Sequence, residues 1–218
     1  MSRRSKLERF LELRAFPNAF EKEARILKGR WRSEYFQKDL PLILELACGK
    51  GEYTLNLARR FSNKYFIGLD IKGARLWKAA KTALEEGLKN VAFIRDYIEK
   101  LPEYFARNEV DEIWITFPEP HPKKSKADKR LTSPRFLTLY RQILKPEGVV
   151  HLKTDDLGLF EYTQETLKEG YGEILTAIPD LYHVRQLDDL LTIKTTYELR
   201  HLEAGKKIKY IKFRLIQN

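Results

Sequence analysis

Residues 42–70, LILELACGKGEYTLNLARRFSNKYFIGLD, contain a complete strand–turn–helix–strand unit. Leu42–Leu46 is an apolar run of strand length interrupted only by Glu45, the pattern of a strand covered on both faces. A glycine-rich turn follows, Ala47-Cys-Gly-Lys-Gly51, then a helical stretch from Glu52 to Phe61 and a second buried strand, Tyr65–Leu69, ending on Asp70. The alternation continues outward. Lys72–Glu86 places Leu76, Ala79, Ala80, Ala83 and Leu84 at helical spacing, with Gly87 as its C-terminal stop. Val91–Ile94 reads as a third strand, Ile98–Phe105 as a short helix and Glu112–Phe117 as a fourth strand. A helix capped by Thr132 or Ser133 runs toward Leu144, Lys145–Gly148 is a turn, and Val149–Thr154 is a fifth strand. After a helix near 157–168, strands at Gly172–Ile178 and Lys206–Leu215, with helical Thr196–Glu203 between them, form an antiparallel pair. The expectation is an open, mostly parallel α/β sheet of seven strands with helices on both faces, its last strands antiparallel.

The 218 residues carry a formal net charge of +10 and a pI near 9.5, which favours a polyanionic partner, nucleic acid above all. Much of the excess lies in residues 1–38, where eleven cations face five acids and Pro17 and Gly29 break any periodicity. This segment reads as a basic N-terminal extension to a domain spanning 39–218, either closing over a ligand or RNA or fraying in solvent. The one cysteine, Cys48, excludes an internal disulfide and fits a reducing compartment. The charged start MSRRSKLERF lacks the apolar core of a signal peptide, and no apolar run reaches membrane-spanning length. The expected location is the cytoplasm, with no membrane partner.

A second decisive stretch is residues 113–135, IWITFPEPHPKKSKADKRLTSPR. Its strand stops at Pro118, and Pro120 and Pro122 keep the following loop extended and stiff. The loop carries Glu119 and His121, then Lys123, Lys124, Lys126, Lys129, Arg130 and Arg135 against the single acid Asp128. An acid on a rigid loop beside a cationic run suits a site that handles a cationic reactant and a polyanion together.

In open α/β sheets, ligands bind outside the carboxyl ends of the strands. Here those ends carry Glu45, Asp70, Asp96, Glu119 and Asp155. The first turn does not follow G-x-G-x-x-G, and Glu45 puts negative charge where a pyrophosphate would lie. Gly49 and Gly51 still admit close backbone approach. The set fits S-adenosylmethionine, whose sulfonium and ammonium are positive. Asp70 is placed for the ribose hydroxyls and Asp96 for the adenine amine. Against this stands a generic α/β domain with solvated acids. Cys48 reads as a small packing residue, and Trp77, Tyr97 and Trp114 as core or cofactor walls.

Three stretches resemble the bacterial tRNA (guanine-N7)-methyltransferases: Phe117–Lys124 with Lys129–Thr132, Leu144–Gly148 with His151–Asp155, and Thr195–Glu198 followed by Arg200 and Gly205-Lys206. The resemblance covers roughly residues 42–213 and implies a class I methyltransferase, Rossmann-like fold, S-adenosylmethionine as donor, and N7 of a variable-loop guanine (guanine-46) in tRNA as acceptor. It implies cofactor contacts at Glu45, Asp70 and Asp96, a catalytic and cofactor-contacting role for Glu119, and tRNA binding by Lys123, Asp155, Thr195, Thr196, Tyr197 and Glu198. The sequence departs from the family pattern with Glu119 for Asp, His121 for Trp and Ala47 for the first motif glycine.

Guanine N7 has an in-plane lone pair and no proton, so its attack needs no general base and no metal; positioning and electrostatics suffice. The expected division gives Glu119 and Asp155 the guanine Watson–Crick edge, and Lys123, Lys124, Lys129 and Arg130 the phosphates. Two other readings stay open: an adenosylmethionine enzyme with a different acceptor, and a non-catalytic RNA-binding protein. Monomer and homodimer also both stay open.

Overall fold

The computed structural model describes residues 5–216, so Arg3 and Arg4 of the basic extension lie outside the described residues. The chain divides into two compact units, Met1–Ala106 and Arg107–Asn218.

The first unit opens with α1 (Lys6–Leu13). Ser5 Oγ accepts from the Glu8 N–H at 3.2 Å while the Glu8 carboxylate accepts from the Ser5 N–H at 2.6 Å, satisfying two donors at the helix start. Next come β1 (Ala19–Phe20), β2 (Leu42–Leu46), α2 (Glu52–Arg60), β3 (Tyr65–Leu69), α3 (Gly73–Glu85), β4 (Val91–Ile94) and α4 (Leu101–Tyr104). The strands lie in the order β1-β4-β3-β2, every neighbouring pair parallel. β1 belongs to the segment expected as an extension, and it is a strand beyond the expected seven. Trp31 anchors the same segment. It is fully buried, donates its indole N–H to the Tyr104 carbonyl at 2.9 Å, and stacks on Phe105 at 5.9 Å. Gly87, at φ +67°, ends α3 as expected, its N–H meeting Leu84 O at 3.1 Å and the Leu88 N–H meeting Ala83 O at 2.9 Å.

The second unit comprises β5 (Val110–Thr116), α5 (Pro134–Arg141), β6 (Leu144–Thr154), α6 (Leu157–Thr166), β7 (Gly172–Ile178), α7 (Thr196–Glu203) and β8 (Lys209–Leu215). Their order is β5-β6-β8-β7, with β5 and β6 parallel and the β6–β8 and β8–β7 pairs antiparallel. The last strands are thus antiparallel, as expected from the sequence. Lys145–Gly148, expected as a turn after a helix running toward Leu144, instead lies within the first stretch of β6: Leu144 pairs with Val110, and the register shifts before Glu112 meets Val149. Ser133 is the N-cap of α5, but its hydroxyl donates to Asp128 O at 3.0 Å rather than capping the helix.

A polar group lies within this unit's core. The His151 ring stacks on Trp114 (3.9 Å, 3°) and shares a hydrogen bond with the Tyr210 hydroxyl at 2.7 Å. Its Nε2 is 3.2 Å from Glu112 Oε1, an oxygen that also accepts from the Trp114 indole N–H. Burial pushes the imidazole pKa below its usual 6.5, against the opposing pull of Glu112.

Candidate active site

In the first unit, register brings three acids to one rim. Leu46 pairs with Leu69 and Leu69 with Ile94, so β2, β3 and β4 end side by side. Asp70, just beyond β3, is buried and has both oxygens fixed by backbone donors: Oδ2 accepts from the Gly49 N–H at 2.9 Å and Oδ1 from the Lys72 N–H at 2.7 Å. The acceptor capacity left on each oxygen suits a vicinal diol. Glu45 is also buried, and its Oε2 accepts from the Thr54 N–H at 2.9 Å and from the Thr54 hydroxyl, tying the turn to the start of α2. Asp96 Oδ1 accepts from the Tyr97 N–H at 2.8 Å and Oδ2 from the Tyr104 hydroxyl at 2.5 Å, with Arg25 3.8 Å away. Burial, then the Asp96 bond, push the Tyr104 pKa up, so the phenol stays a donor. Ile71 and Tyr97, each next to a rim acid, expose apolar surface beside it.

The two turn glycines have different jobs. A Cβ on Gly51 would fall 2.7 Å from Ala79 Cβ and 2.8 Å from Phe93, so that glycine serves helix–strand packing rather than ligand approach. A Cβ on Gly49 would meet nothing within 4 Å, which leaves open space beside the Asp70 carboxylate. Ala47 holds the left-handed conformation (φ +56°) that a glycine would take without strain. The buried Cys48 thiol has its pKa pushed well above 9.0 by burial and by the charges of Glu45 and Asp70, which rules out thiolate chemistry near neutrality. This acceptor set, acidic with open space beside a diol-ready carboxylate, fits a cationic nucleoside.

In the second unit, the proline loop is braced from within. Phe117 and His121 both hold positive φ (+49° and +44°), sparsely populated for side chains of this bulk. The Phe117 N–H bonds Lys153 O at 2.8 Å, and Arg130 donates twice to His121 O (3.2 and 3.1 Å) while its guanidinium lies 4.2 Å over the Tyr162 ring. Arg130, expected at a phosphate, also braces the loop and stays part-exposed. Glu119 is exposed and has no hydrogen bond or ion pair among the described residues. Lys123, Lys124 and Lys129 are exposed. Asp155, beyond β6, pairs with Lys206 at 2.6 Å and His201 Nδ1 at 3.4 Å, and its carbonyl accepts from Lys209 Nζ at 2.9 Å.

Thr195–Glu198 divides. Thr195 Oγ1 accepts from the Glu198 N–H at 3.1 Å as the cap of α7. Glu198 is fully buried, 2.8 Å from Lys153 Nζ, and accepts from the Tyr182 hydroxyl at 2.6 Å. Its carboxylate, expected at the substrate, is in this structure engaged inside the protein, where it partners the buried Lys153 charge. Burial lowers the Lys153 pKa and Glu198 opposes the shift. Thr196 and Tyr197 stay exposed.

A family model described as "Putative methyltransferase" matches residues 39–211. The tRNA (guanine-N(7)-)-methyltransferase of Bacteroides thetaiotaomicron is 46% identical over 221 residues, covering 98% of this chain and 87% of that protein. Its namesake from Christiangramia forsetii is 48% identical over 223 residues, covering 99% and 100%. The chain belongs to the tRNA (guanine-N(7)-)-methyltransferase family.

At the level of fold alone, it is similar to the 16S rRNA methyltransferase KamB (TM-score 0.64, 15% identity, 87% of this chain and 92% of that one). It is likewise similar to a SAM-dependent methyltransferase from Aquifex aeolicus (TM-score 0.56, 15% identity, 90% and 100%). For a tRNA (guanine-N(7)-)-methyltransferase, the residues that reading the sequence missed are those acting behind the motifs. Tyr182 bonds Glu198, His201 lies against Asp155 and the Tyr104 hydroxyl bonds Asp96, while Lys153, inside the His151–Asp155 stretch, had no role assigned to it. The signal available for Lys153 was a lysine inside an otherwise buried strand pattern, Val149–Thr154.

Proposed function

We infer that this chain transfers a methyl group from S-adenosylmethionine to N7 of a guanine in tRNA, leaving 7-methylguanosine. The near-full-length similarity to tRNA (guanine-N(7)-)-methyltransferases carries the reading. The rim acids of the first unit support the donor, and the exposed lysines and motif residues of the second support the acceptor. The donor supplies an electrophilic methyl on a positively charged sulfur. Asp70 accepts from the ribose hydroxyls, Asp96 from the adenine amine, and the negative field of Glu45 favours the cationic end; Gly49 leaves room beside them. Glu119, the one acid here whose carboxylate is not already engaged, faces the guanine and offsets the positive charge appearing on its ring, with a cofactor contact as the family resemblance implies. Asp155, held by Lys206 and His201, takes the Watson–Crick edge. Lys123, Lys124 and Lys129 hold phosphates. We assign the acceptor to guanine-46, the catalytic domain to 39–218 with 1–38 as its extension, and the place of action to the cytoplasm.

The test is nucleoside mass spectrometry of tRNA lacking the modification, incubated with protein and donor. 7-Methylguanosine at position 46 is the expected product. Another methylated base, or none, would overturn the assignment.

A further inference from the structure

Tyr104 is fully buried at the end of α4, and a buried phenol needs a hydrogen-bond partner. The 3₁₀ turn Ile98–Lys100 and α4 fold the chain back so that the partner is Asp96, eight residues earlier. The Tyr104 hydroxyl donates to Asp96 Oδ2 at 2.5 Å, while the Tyr97 N–H meets Oδ1 at 2.8 Å. Together the two bonds fix the rotation of the carboxylate and leave acceptor capacity on each oxygen. With 13% of its side chain open, Asp96 is not sealed, so that capacity is within reach of a ligand. Tyr104 is itself fixed from behind: the Trp31 indole N–H bonds its carbonyl at 2.9 Å, and the neighbouring Phe105 stacks on Trp31. One cation competes for the acid. Arg25 Nη2 lies 3.8 Å from the same Asp96 oxygen, but its close ion pair is with Glu103, at 2.6 Å. Without the phenol, the carboxylate is free to turn into that guanidinium and away from a ligand.

We propose that Tyr104 is a positioning residue for donor recognition: it holds the Asp96 carboxylate in the orientation that accepts from the adenine amine, and so makes the site prefer adenine to a purine with a carbonyl at that position. The proposal rests on the donor reading above. An amine at the purine 6-position donates to a carboxylate, whereas a carbonyl there is a second acceptor and is repelled. A fixed acceptor discriminates more sharply than one that swings, because a swinging carboxylate meets the wrong purine by turning to another partner. Tyr104 touches no reacting atom, so its effect falls on donor binding and not on the transfer step.

The experiment measures binding of S-adenosylhomocysteine and S-inosylhomocysteine by calorimetry, with steady-state kinetics on tRNA, for wild type, Tyr104→Phe, Asp96→Ala and the double variant. Tyr104→Phe deletes one oxygen and keeps the ring. It is expected to weaken S-adenosylhomocysteine binding and raise KM for the methyl donor on the order of three- to tenfold, the scale of one net hydrogen bond. Both kcat and KM for tRNA stay within about twofold of wild type. Wild type prefers S-adenosylhomocysteine to S-inosylhomocysteine, and in Tyr104→Phe that preference shrinks by a similar factor. In the Asp96→Ala background the same change has no further effect, because the group through which Tyr104 acts is gone. Losses that add in the double variant would overturn the proposal, as would a fall in kcat with donor KM unchanged. So would a Tyr104→Phe protein that unfolds at lower urea yet keeps the wild-type preference between the two nucleosides, since its role would then be in folding alone. A wild type that binds S-adenosylhomocysteine but forms no 7-methylguanosine removes the acceptor reading and leaves this proposal standing; one that binds neither nucleoside removes the donor reading and the proposal with it.

Discussion

Glu119 is exposed on its loop with no partner among the described residues, so its charge is free to act on whatever the loop meets. If it stabilises a developing purine cation, Glu119→Gln keeps the shape and removes the charge. The expected result is a fall in kcat of roughly 10- to 100-fold with tRNA affinity nearly unchanged; full turnover in single-turnover assays would refute the role. His151 makes a different kind of prediction. Burial lowers its folded-state pKa beneath 6.5, so below that pH the unfolded chain binds a proton that the folded chain resists. The stability this site supports is complete above pH 6.5 and is lost as pH falls through the lowered value. Melting temperature should therefore drop more steeply on acidification in wild type than in His151→Gln, and identical pH profiles would exclude the mechanism.

Among the elements, α7 is fastened by the buried Lys153–Glu198 pair. Removing one member strands a charge in the core, which costs about 3–5 kcal/mol, whereas replacing both with apolar residues is often neutral. Lys153→Met should therefore unfold at much lower urea than wild type, and Lys153→Met with Glu198→Leu should recover most of the loss. Equal stability of the single variant and wild type would show that the pair holds nothing. Trp31→Ala tests the amino-terminal segment, where losing a fully buried indole costs about 3–5 kcal/mol by chemical denaturation. If residues 1–38 were frayed, the cost would be near zero. These are also the elements that the sequence disclosed least. The strands of residues 42–94 were legible because long apolar runs end at glycine or acid. Ala19–Phe20 is too short to show a period, and its pairing with β4 depends on residues more than seventy positions away. The reciprocal cap of Ser5 and Glu8 was written in the sequence, but Pro17 and Gly29 masked it. Among the candidate site residues, Asp70 and Asp96 could be named from the sequence because strand ends mark them. The inward turn of Glu198 was hidden because its partner Lys153 sits 45 residues away, and polar residues read as surface unless a partner is known.

For the molecule as a whole, a net charge of +10 makes RNA affinity depend on released counterions. Lys124 and Lys129 are exposed and available for phosphates, whereas Arg130 also braces the loop, so replacing it would disturb more than charge. Lys124→Ala with Lys129→Ala should lower the slope of log affinity against log salt by roughly 1–2 and leave sequence preference intact. An unchanged slope would place the RNA elsewhere.

The chain's one sulfhydryl, Cys48, is buried within the glycine-rich turn after β2, where burial and the charges of Glu45 and Asp70 raise its pKa. The raised pKa and the burial both slow attack by alkylating reagents and mild oxidants at this thiol. A reporter dye attached through an engineered surface cysteine would label that position alone, with the native residue left in place.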